Sequence, residues 1–269
     1  MSVGIKHKIK EFIIQSLLRL IAGKLLKKEY PTAIVLDEGN YEVYGVGEGG
    51  IQSGVITENC LQDLYEGKFD QAFKKATDGL GKSFQNKDVS FICEQSRYNN
   101  YITCKMAGIA GRLDGDFVSI GVSWGVQPFA TLEYTDIKKD YYLVDTWEGH
   151  VKGTIKIHPA YCKNFDAIRE RFKKFRNVKF IRGFAPECLD LLKSEKISFL
   201  QMDTGNAEAE VKSMELLWPR IVSGGIVVVD YYSSARHVKR KLFLDMLSKL
   251  QGQYEMLATL HGQLIVFKI

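Results

Sequence analysis

The sequence lacks any Cys-x-x-Cys pair, and its cysteines are few and odd in number. The five are Cys60, Cys93, Cys104, Cys162 and Cys188. An odd set of separated cysteines indicates neither a disulfide framework nor a zinc knuckle. The sequence therefore predicts free thiols in a reducing compartment, the cytoplasm.

Outside its first thirty residues the chain also lacks net charge. Residues 1–30 carry seven of the 37 basic and two of the 32 acidic side chains, which leaves 30 of each in residues 31–269. The net charge of +5 therefore belongs to the amino-terminal segment. Because a nucleic-acid site needs a basic face, no nucleic-acid partner is expected.

The amino-terminal segment has no uninterrupted apolar run of membrane-spanning length. Residues 1–30 predict a helix with a wide apolar face, which Gln15, Ser16 and Arg19 interrupt. No small-residue cleavage site follows it, so neither a spanning helix nor a signal peptide is expected. Packing of this face against the rest of the chain or against a second subunit of a homo-oligomer is favoured. Contact of the basic helix with an anionic membrane surface is the alternative.

The remaining residues are rich enough in apolar side chains, at 45% of a 269-residue chain, to bury one large domain with an accessory segment. Residues 31–56 predict a hairpin, and helical patterns follow at 58–78 and 90–111. From residue 116 onward short apolar runs alternate with amphipathic segments such as 164–176 and 206–219. The runs are 117–121, 141–145, 178–182, 197–203 and 225–230.

This alternation predicts an α/β fold with a doubly wound, Rossmann-like, mostly parallel sheet. The last two runs are 254–260 and 264–269, and only a short turn at His261-Gly262 separates them. They therefore predict an antiparallel hairpin at the end of the sheet. The predicted division is an accessory segment over 1–89, with helix, hairpin and helices, followed by a cofactor-binding domain over 90–269.

The glycine turn after the first of these strands indicates a nucleoside-cofactor site. Gly121 ends the strand and Gly125 follows it, and each allows a close backbone approach. The next strand ends in Asp145, 24 residues after Gly121, at about the spacing expected when one helix joins two parallel strands. A carboxylate in this position can accept hydrogen bonds from both ribose hydroxyls.

The ordered motifs resemble those of the macrocin and mycinamicin type sugar O-methyltransferases, which have the class I methyltransferase fold. The resemblance covers about residues 90–269 and rests on GDFVSIGVSWG at 115–125, VDTWEG at 144–149, VKFIRGF at 178–184, LQMD at 200–203, LWPRIVSGG at 217–225 and VVDYY at 228–232. It implies methyl transfer from S-adenosylmethionine to a hydroxyl of a sugar or glycan-like small molecule, in polysaccharide or natural-product biosynthesis.

By this resemblance Gly121 and Gly125 line the methionine end of the cofactor, Asp145 binds the ribose, and Gly183 and Phe184 border the adenine. Trp124 and Trp147 are candidate walls of the pocket, and the alternative for both is an ordinary place in the core. The full set of expected cofactor-binding residues is Ser119, Gly121, Trp124, Gly125, Asp145, Thr146, Gly183, Phe184 and Asp203.

Some positions depart from the family pattern. Ser119 stands where the family has a carboxylate, and Val126 stands where it has a third glycine. The family often builds a magnesium site from Asp-x-x-Asp and Asp-Asp, which here become Asp203-Thr204-Gly205-Asn206 and Asp230-Tyr231. Two carboxylates hold magnesium only with waters and substrate oxygens completing the shell, so the metal is doubtful.

Removal of the acceptor proton needs a base near the carboxyl ends of the strands. Asp203 is the first candidate, and the alternative role for its carboxyl is to cap the helix that begins near Asn206. His237 is the second candidate. His150 and His158 are either residues of the acceptor pocket or ordinary loop residues. Arg97 either contacts the cofactor or acceptor, or forms an ordinary ion pair at the surface.

Residues 45–50 (GVGEGG) satisfy Gly-x-Gly-x-x-Gly, which raises a nicotinamide-dependent oxidoreductase as an alternative. No helix opens directly after this loop, and the terminal hairpin is unusual for dinucleotide dehydrogenases, so a loop or lid is favoured. A catalytically weakened cofactor-binding protein of methyltransferase fold is the further alternative, because of Ser119, Val126 and Tyr231.

Overall fold

The computed structural model describes residues 32–37, 40–45, 64–78, 80, 87–149, 162–232, 238–250, 253–259 and 262–269. The chain divides into two compact units, Met1–Ile56 and Thr57–Ile269. In the first unit β1 (Thr32–Asp37) and β2 (Asn40–Gly45) pair antiparallel, at the place of the predicted hairpin. The predicted helix over 1–30 and the glycine-rich loop after Gly45 lie outside the described residues.

The second unit contains a seven-stranded sheet in the order β5-β4-β3-β6-β7-β9-β8. The strands are β3 (Asp116–Ile120), β4 (Tyr141–Asp145), β5 (Val178–Arg182), β6 (Ile197–Met202), β7 (Ile221–Val229), β8 (Tyr254–Ala258) and β9 (Leu264–Lys268). Strands β3 to β7 are parallel, whereas β9 is antiparallel to both β7 and β8. This confirms the predicted doubly wound sheet with an antiparallel end.

Six described α-helices accompany these strands. They are α1 (Lys68–Thr77), α2 (Lys87–Ala110), α3 (Val126–Thr135), α4 (Phe165–Phe172), α5 (Ala207–Leu217) and α6 (Val238–Leu247). Asn164 caps α4 and Asn206 caps α5, each accepting a hydrogen bond from an amide three residues later. No helix among the described residues is long and apolar enough to cross a membrane.

The strands are apolar on both sides because helices cover both faces of the sheet. Along β3, Phe117 belongs to one buried cluster, and Val118 and Ile120 belong to the other. The first cluster includes Phe69 of α1 and Phe129 of α3, whereas the second includes side chains of α5 and α6. The alternation of side chains along a strand therefore divides the core in two.

The unit begins earlier than the predicted boundary between residues 89 and 90. Helix α1 belongs to it, because Phe69 and Ala76 are fully buried in the same cluster as the side chains of α3. The sequence-based boundary therefore falls inside this unit, close to the start of α2.

Arg97 joins α2 to the segment around α1. Its Nη1 donates to Asp70 Oδ1 at 2.8 Å and to the carbonyl oxygen of Leu64 at 3.0 Å. The guanidinium also lies over the rings of Tyr65 and Phe73. Of the two roles weighed for Arg97, the geometry favours an ion pair, although this pair is largely buried and not at the surface.

Replacing Arg97 with alanine is expected to lower the free energy of unfolding by about 3 kcal/mol, because the buried Asp70 carboxylate then keeps, among the described residues, only the exposed Lys74 as an ionic partner. Chemical denaturation of Arg97→Ala beside Arg169→Ala, an exposed arginine of α4, measures this. Similar small losses in the two variants would refute a structural role for Arg97.

Candidate functional site

A cleft of about 630 Å³ opens at the carboxyl ends of the parallel strands. Doubly wound sheets bind ligands at this edge. Residues at the ends of β3, β4, β5 and β6, or directly after them, line the cleft, and they include six of the predicted site residues. These are Gly121, Asp145, Thr146, Gly183, Phe184 and Asp203.

Gly121 brings the end of β3 against the end of β6. Its φ is +86°, and a Cβ atom at this position would lie 2.1 Å from the carbonyl oxygen of Asp203. The Asp203 amide donates to the carbonyl of Ile120 at 2.9 Å. Only glycine combines this conformation with this contact, so Gly121 fixes where the Asp203 backbone enters the cleft.

The Asp145 carboxylate is held by backbone amides from two loops. Oδ2 accepts from the amide of Ser123 at 2.7 Å, and Oδ1 accepts from the amide of Trp147 at 2.9 Å. The hydroxyl of Thr146 lies 3.4 Å from Oδ1. A carboxylate has about four acceptor positions, and these three contacts engage three of them. Asp145 can therefore accept two ribose hydroxyls, as expected from the sequence, only if one of them replaces the long contact with Thr146.

The amides that bind Asp145 come from residues in strained backbone conformations. Ser123 has φ +48° and Trp147 has φ +51°, in the left-handed region that residues with a Cβ rarely occupy. The two loops are tied together, because Trp147 Nε1 donates to the carbonyl oxygen of Ser123 at 3.1 Å. Such strain costs about 1–3 kcal/mol per residue and concentrates at functional sites.

Asp203 and Asp230 emerge from neighbouring strands at the same level. Met202 pairs with Val229 in the sheet, and the Asp230 amide donates to the Met202 carbonyl at 3.0 Å. Burial, and then the Asp230 carboxylate, raise the pKa of Asp203 from its ordinary 3.8 to about 8. Burial also raises the pKa of Asp230, although hydrogen bonds from Gln201 and Gln263 oppose this.

The hydrogen bonds distinguish the two carboxyls. Asp230 Oδ2 accepts from Gln201 Nε2 at 3.0 Å, and Oδ1 accepts from Gln263 Nε2 at 2.8 Å. Donors on both oxygens stabilise the ionised form. These donors favour the negative charge on Asp230, and the raised pKa of Asp203 favours a proton there at neutral pH.

Two further charged residues, which the sequence analysis missed, complete this cluster. Glu210 of α5 is fully buried, and its Oε1 accepts from the amide and hydroxyl of Thr204 at 2.8 and 3.0 Å. Its Oε2 lies 2.5 Å from Lys239 Nζ. A signal was present, because Glu210 shares the helical spacing of the buried Met214 and Leu217.

Other predicted residues lie away from the cleft. Ser119 is fully buried, and its hydroxyl lies 2.8 Å from Tyr141 Oη, because its side chain alternates to the face opposite Ile120. A Cβ atom on residue 125 would lie 2.5 Å from the Phe172 ring, so Gly125 makes room for that ring and not for a ligand. Trp124 packs half-buried against the same cluster as Phe172. His237, His150 and His158 lie outside the described residues.

Magnesium fits these residues poorly. Both oxygens of Asp230 already accept hydrogen bonds from amide donors, and the Lys239 ammonium lies against Glu210. Magnesium requires octahedral oxygen ligands. Within the described ranges, no group of three or more His, Cys, Asp or Glu side chains is arranged to hold a metal ion.

The sequence profile described as Macrocin-O-methyltransferase (TylF) matches residues 57–252. Among solved structures, the O-methyltransferase NovP is 16% identical, with a TM-score of 0.58, and the match covers 74% of this chain and 97% of that one. The methyltransferase PaMTH1 of Podospora anserina is 14% identical, with a TM-score of 0.46, over 75% of this chain and 88% of that one. A search of curated proteins found no significant match.

The raised pKa of Asp203 predicts how stability depends on pH. Because the folded protein retains a proton that the unfolded chain releases near pH 4, the free energy of unfolding should fall as the pH rises from about 4 to about 8. Asp203→Asn should remove much of this fall, whereas Asp245→Asn, an exposed control on α6, should not. Superimposable pH profiles for the wild type and Asp203→Asn would contradict the burial argument.

Proposed function

The chain belongs to the macrocin-O-methyltransferase (TylF) family and is an S-adenosylmethionine-dependent methyltransferase of small molecules, and we propose that its acceptor is a hydroxyl of a sugar or glycan-like compound. The observation that supports this most strongly is the buried Asp203 carboxyl in the cleft that Gly121 and Asp145 also line. When bound, the cofactor supplies an electrophilic methyl group on a sulfonium.

The lining of the cleft fits the cofactor. Asp145 offers a carboxylate that amides have already oriented, which suits a ribose hydroxyl donor. Gly121 lets the Asp203 backbone approach the end of β3, and Phe184 offers an aromatic ring beside Gly183 for the adenine. In this proposal Asp145 accepts a ribose hydrogen bond in place of the Thr146 contact.

Asp203 is proposed as the general base. A hydroxyl becomes nucleophilic as its proton is removed, and a carboxyl with a pKa of about 8 is a stronger base than an ordinary aspartate. A positive charge in the cleft favours the ionised form of Asp203, so ligand binding prepares the carboxyl to accept the proton. Positioning of the hydroxyl against the methyl group contributes further.

The oxidoreductase alternative loses its support. The family match and the strand order, with an antiparallel end, are those of a methyltransferase. The alternative of a catalytically weakened protein depends partly on Ser119, where the family has a carboxylate. The Ser119 hydroxyl lies in the core beside Tyr141 Oη and does not line the cleft, so this departure leaves the cleft unchanged.

We also propose that the protein works in the cytoplasm as a homo-oligomer. The described cysteines support the reducing compartment, since Cys104 and Cys162 are buried free thiols and Cys188 is a half-buried one. The wide apolar pattern of residues 1–30 supports a second subunit as its cover, with a membrane surface as the alternative.

Asp145→Ala should weaken binding of S-adenosylhomocysteine by about 10-fold to 100-fold, because it removes a charge-assisted hydrogen bond to the ribose. Isothermal titration calorimetry measures this. Asp166→Ala, in the exposed first turn of α4, is the control. Undiminished affinity in Asp145→Ala would contradict the assignment of the ribose subsite.

Asp203→Asn should lower turnover by about 10²–10⁴-fold and leave cofactor affinity nearly unchanged, because the amide keeps the shape of the side chain but cannot take the proton. A mass-spectrometric screen of candidate sugars and glycans for the gain of one methylene mass identifies the acceptor for this assay. Near-normal turnover in Asp203→Asn would move the base to His237.

A further inference from the structure

We propose that the ammonium group of Lys239, and not a divalent cation, is the counter-charge of the carboxyl cluster beside the reacting hydroxyl. In this account Lys239 is a positioning residue, which acts on the substrate only through Asp203. This inference rests on the proposed function of Asp203 as the base. It adds the source of the positive charge that acts on the Asp203 carboxyl.

Lys239 is held in place by two elements that carry the cluster. Its Nζ lies 2.5 Å from Glu210 Oε2 of α5, and it donates to the carbonyl oxygen of Asp230 at the end of β7. The Lys239 side chain is only 11% exposed and that of Glu210 is fully buried. A buried ion pair of this kind is positioned firmly, because neither partner can exchange for water without leaving the other charge unpaired.

The cluster needs a cation. Asp230 from β7, Glu210 from α5 and, more weakly, Asp145 from β4 are the acidic groups that act on Asp203, and each disfavours its ionised form. Among the described residues, Lys239 of α6 is the basic group that opposes them. Since like charges raise the pKa of a carboxyl and an opposite charge lowers it, Lys239 keeps Asp203 within reach of ionisation near neutral pH.

The donor set around the cluster suits an ammonium better than a metal ion. Gln201 and Gln263 direct amide hydrogens at both oxygens of Asp230, and Thr204 directs its amide and hydroxyl at Glu210 Oε1. These donors already occupy one acceptor position on each Asp230 oxygen and two on Glu210 Oε1, which leaves few positions for the oxygen shell that magnesium requires. The Lys239 ammonium, which forms an ion pair with Glu210 Oε2 and donates to the Asp230 carbonyl oxygen, supplies positive charge without needing such a shell.

The first test measures Mn²⁺ binding to the wild-type protein saturated with S-adenosylhomocysteine, by electron paramagnetic resonance. The expected result is no stoichiometric binding. Stoichiometric Mn²⁺ binding that Asp203→Asn abolishes would overturn the proposal. This test needs no variant of Lys239 to fold.

The second test measures the free energy of unfolding against pH in Lys239→Met, Lys239→Arg and the exposed control Lys241→Met. In Lys239→Met the pH at which the stability stops falling should rise by about 1 unit or more, because the folded carboxyls hold their proton to higher pH. Lys239→Arg and Lys241→Met should keep the wild-type profile. A wild-type profile in Lys239→Met would overturn the proposal.

Neither measurement uses an acceptor. If no sugar or glycan is methylated, the proposed function fails while both tests of Lys239 can still succeed. If Lys239→Met behaves as the wild type while methylated product forms, the proposed function stands and the role of Lys239 fails.

Discussion

A Cβ atom on residue 121 would lie 2.1 Å from the carbonyl oxygen of Asp203, so the two chain segments can meet there only because residue 121 is glycine. This close approach brings the carboxyl ends of β3 and β6 together at the centre of the sheet. The cleft lies between the loops that leave these strands, and Asp203 enters it at a position that the backbone determines. The contact between Gly121 and Asp203 therefore helps to shape the edge of the sheet at which the cleft opens.

The same placement creates the electrostatic problem that the surrounding residues solve. Asp203 and Asp230 come directly after paired residues of adjacent strands, so two carboxyls are forced together out of water. The Gln201 and Gln263 amides stabilise one negative charge on Asp230. The Asp203 carboxyl is left with a raised pKa, so its ionised form is a stronger base than that of an ordinary aspartate.

Much of this arrangement could be predicted from sequence because it depends on local patterns. Apolar runs located β3, β4 and β5 to within a residue, and residues at strand ends, such as Gly121, Asp145 and Asp203, line the cleft as expected. Ser119 was misplaced because one step along a strand reverses the face. Residue 125 is glycine because the ring of Phe172, 47 residues further along the chain, packs against it. The Glu210–Lys239 ion pair likewise joins two helices that are distant in sequence. Helical spacing indicates that Glu210 is buried, but neither tertiary contact has a local signature that identifies the partner.

A crystal structure with S-adenosylhomocysteine tests the central claim most directly, because it locates the reacting position relative to Asp203. The account predicts the ribose on Asp145, the thioether sulfur on the side of the cleft that Asp203 faces, and Lys239 still paired with Glu210. A ligand bound away from Gly121 and Asp145, or a metal ion bridging Asp203 and Asp230, would contradict it.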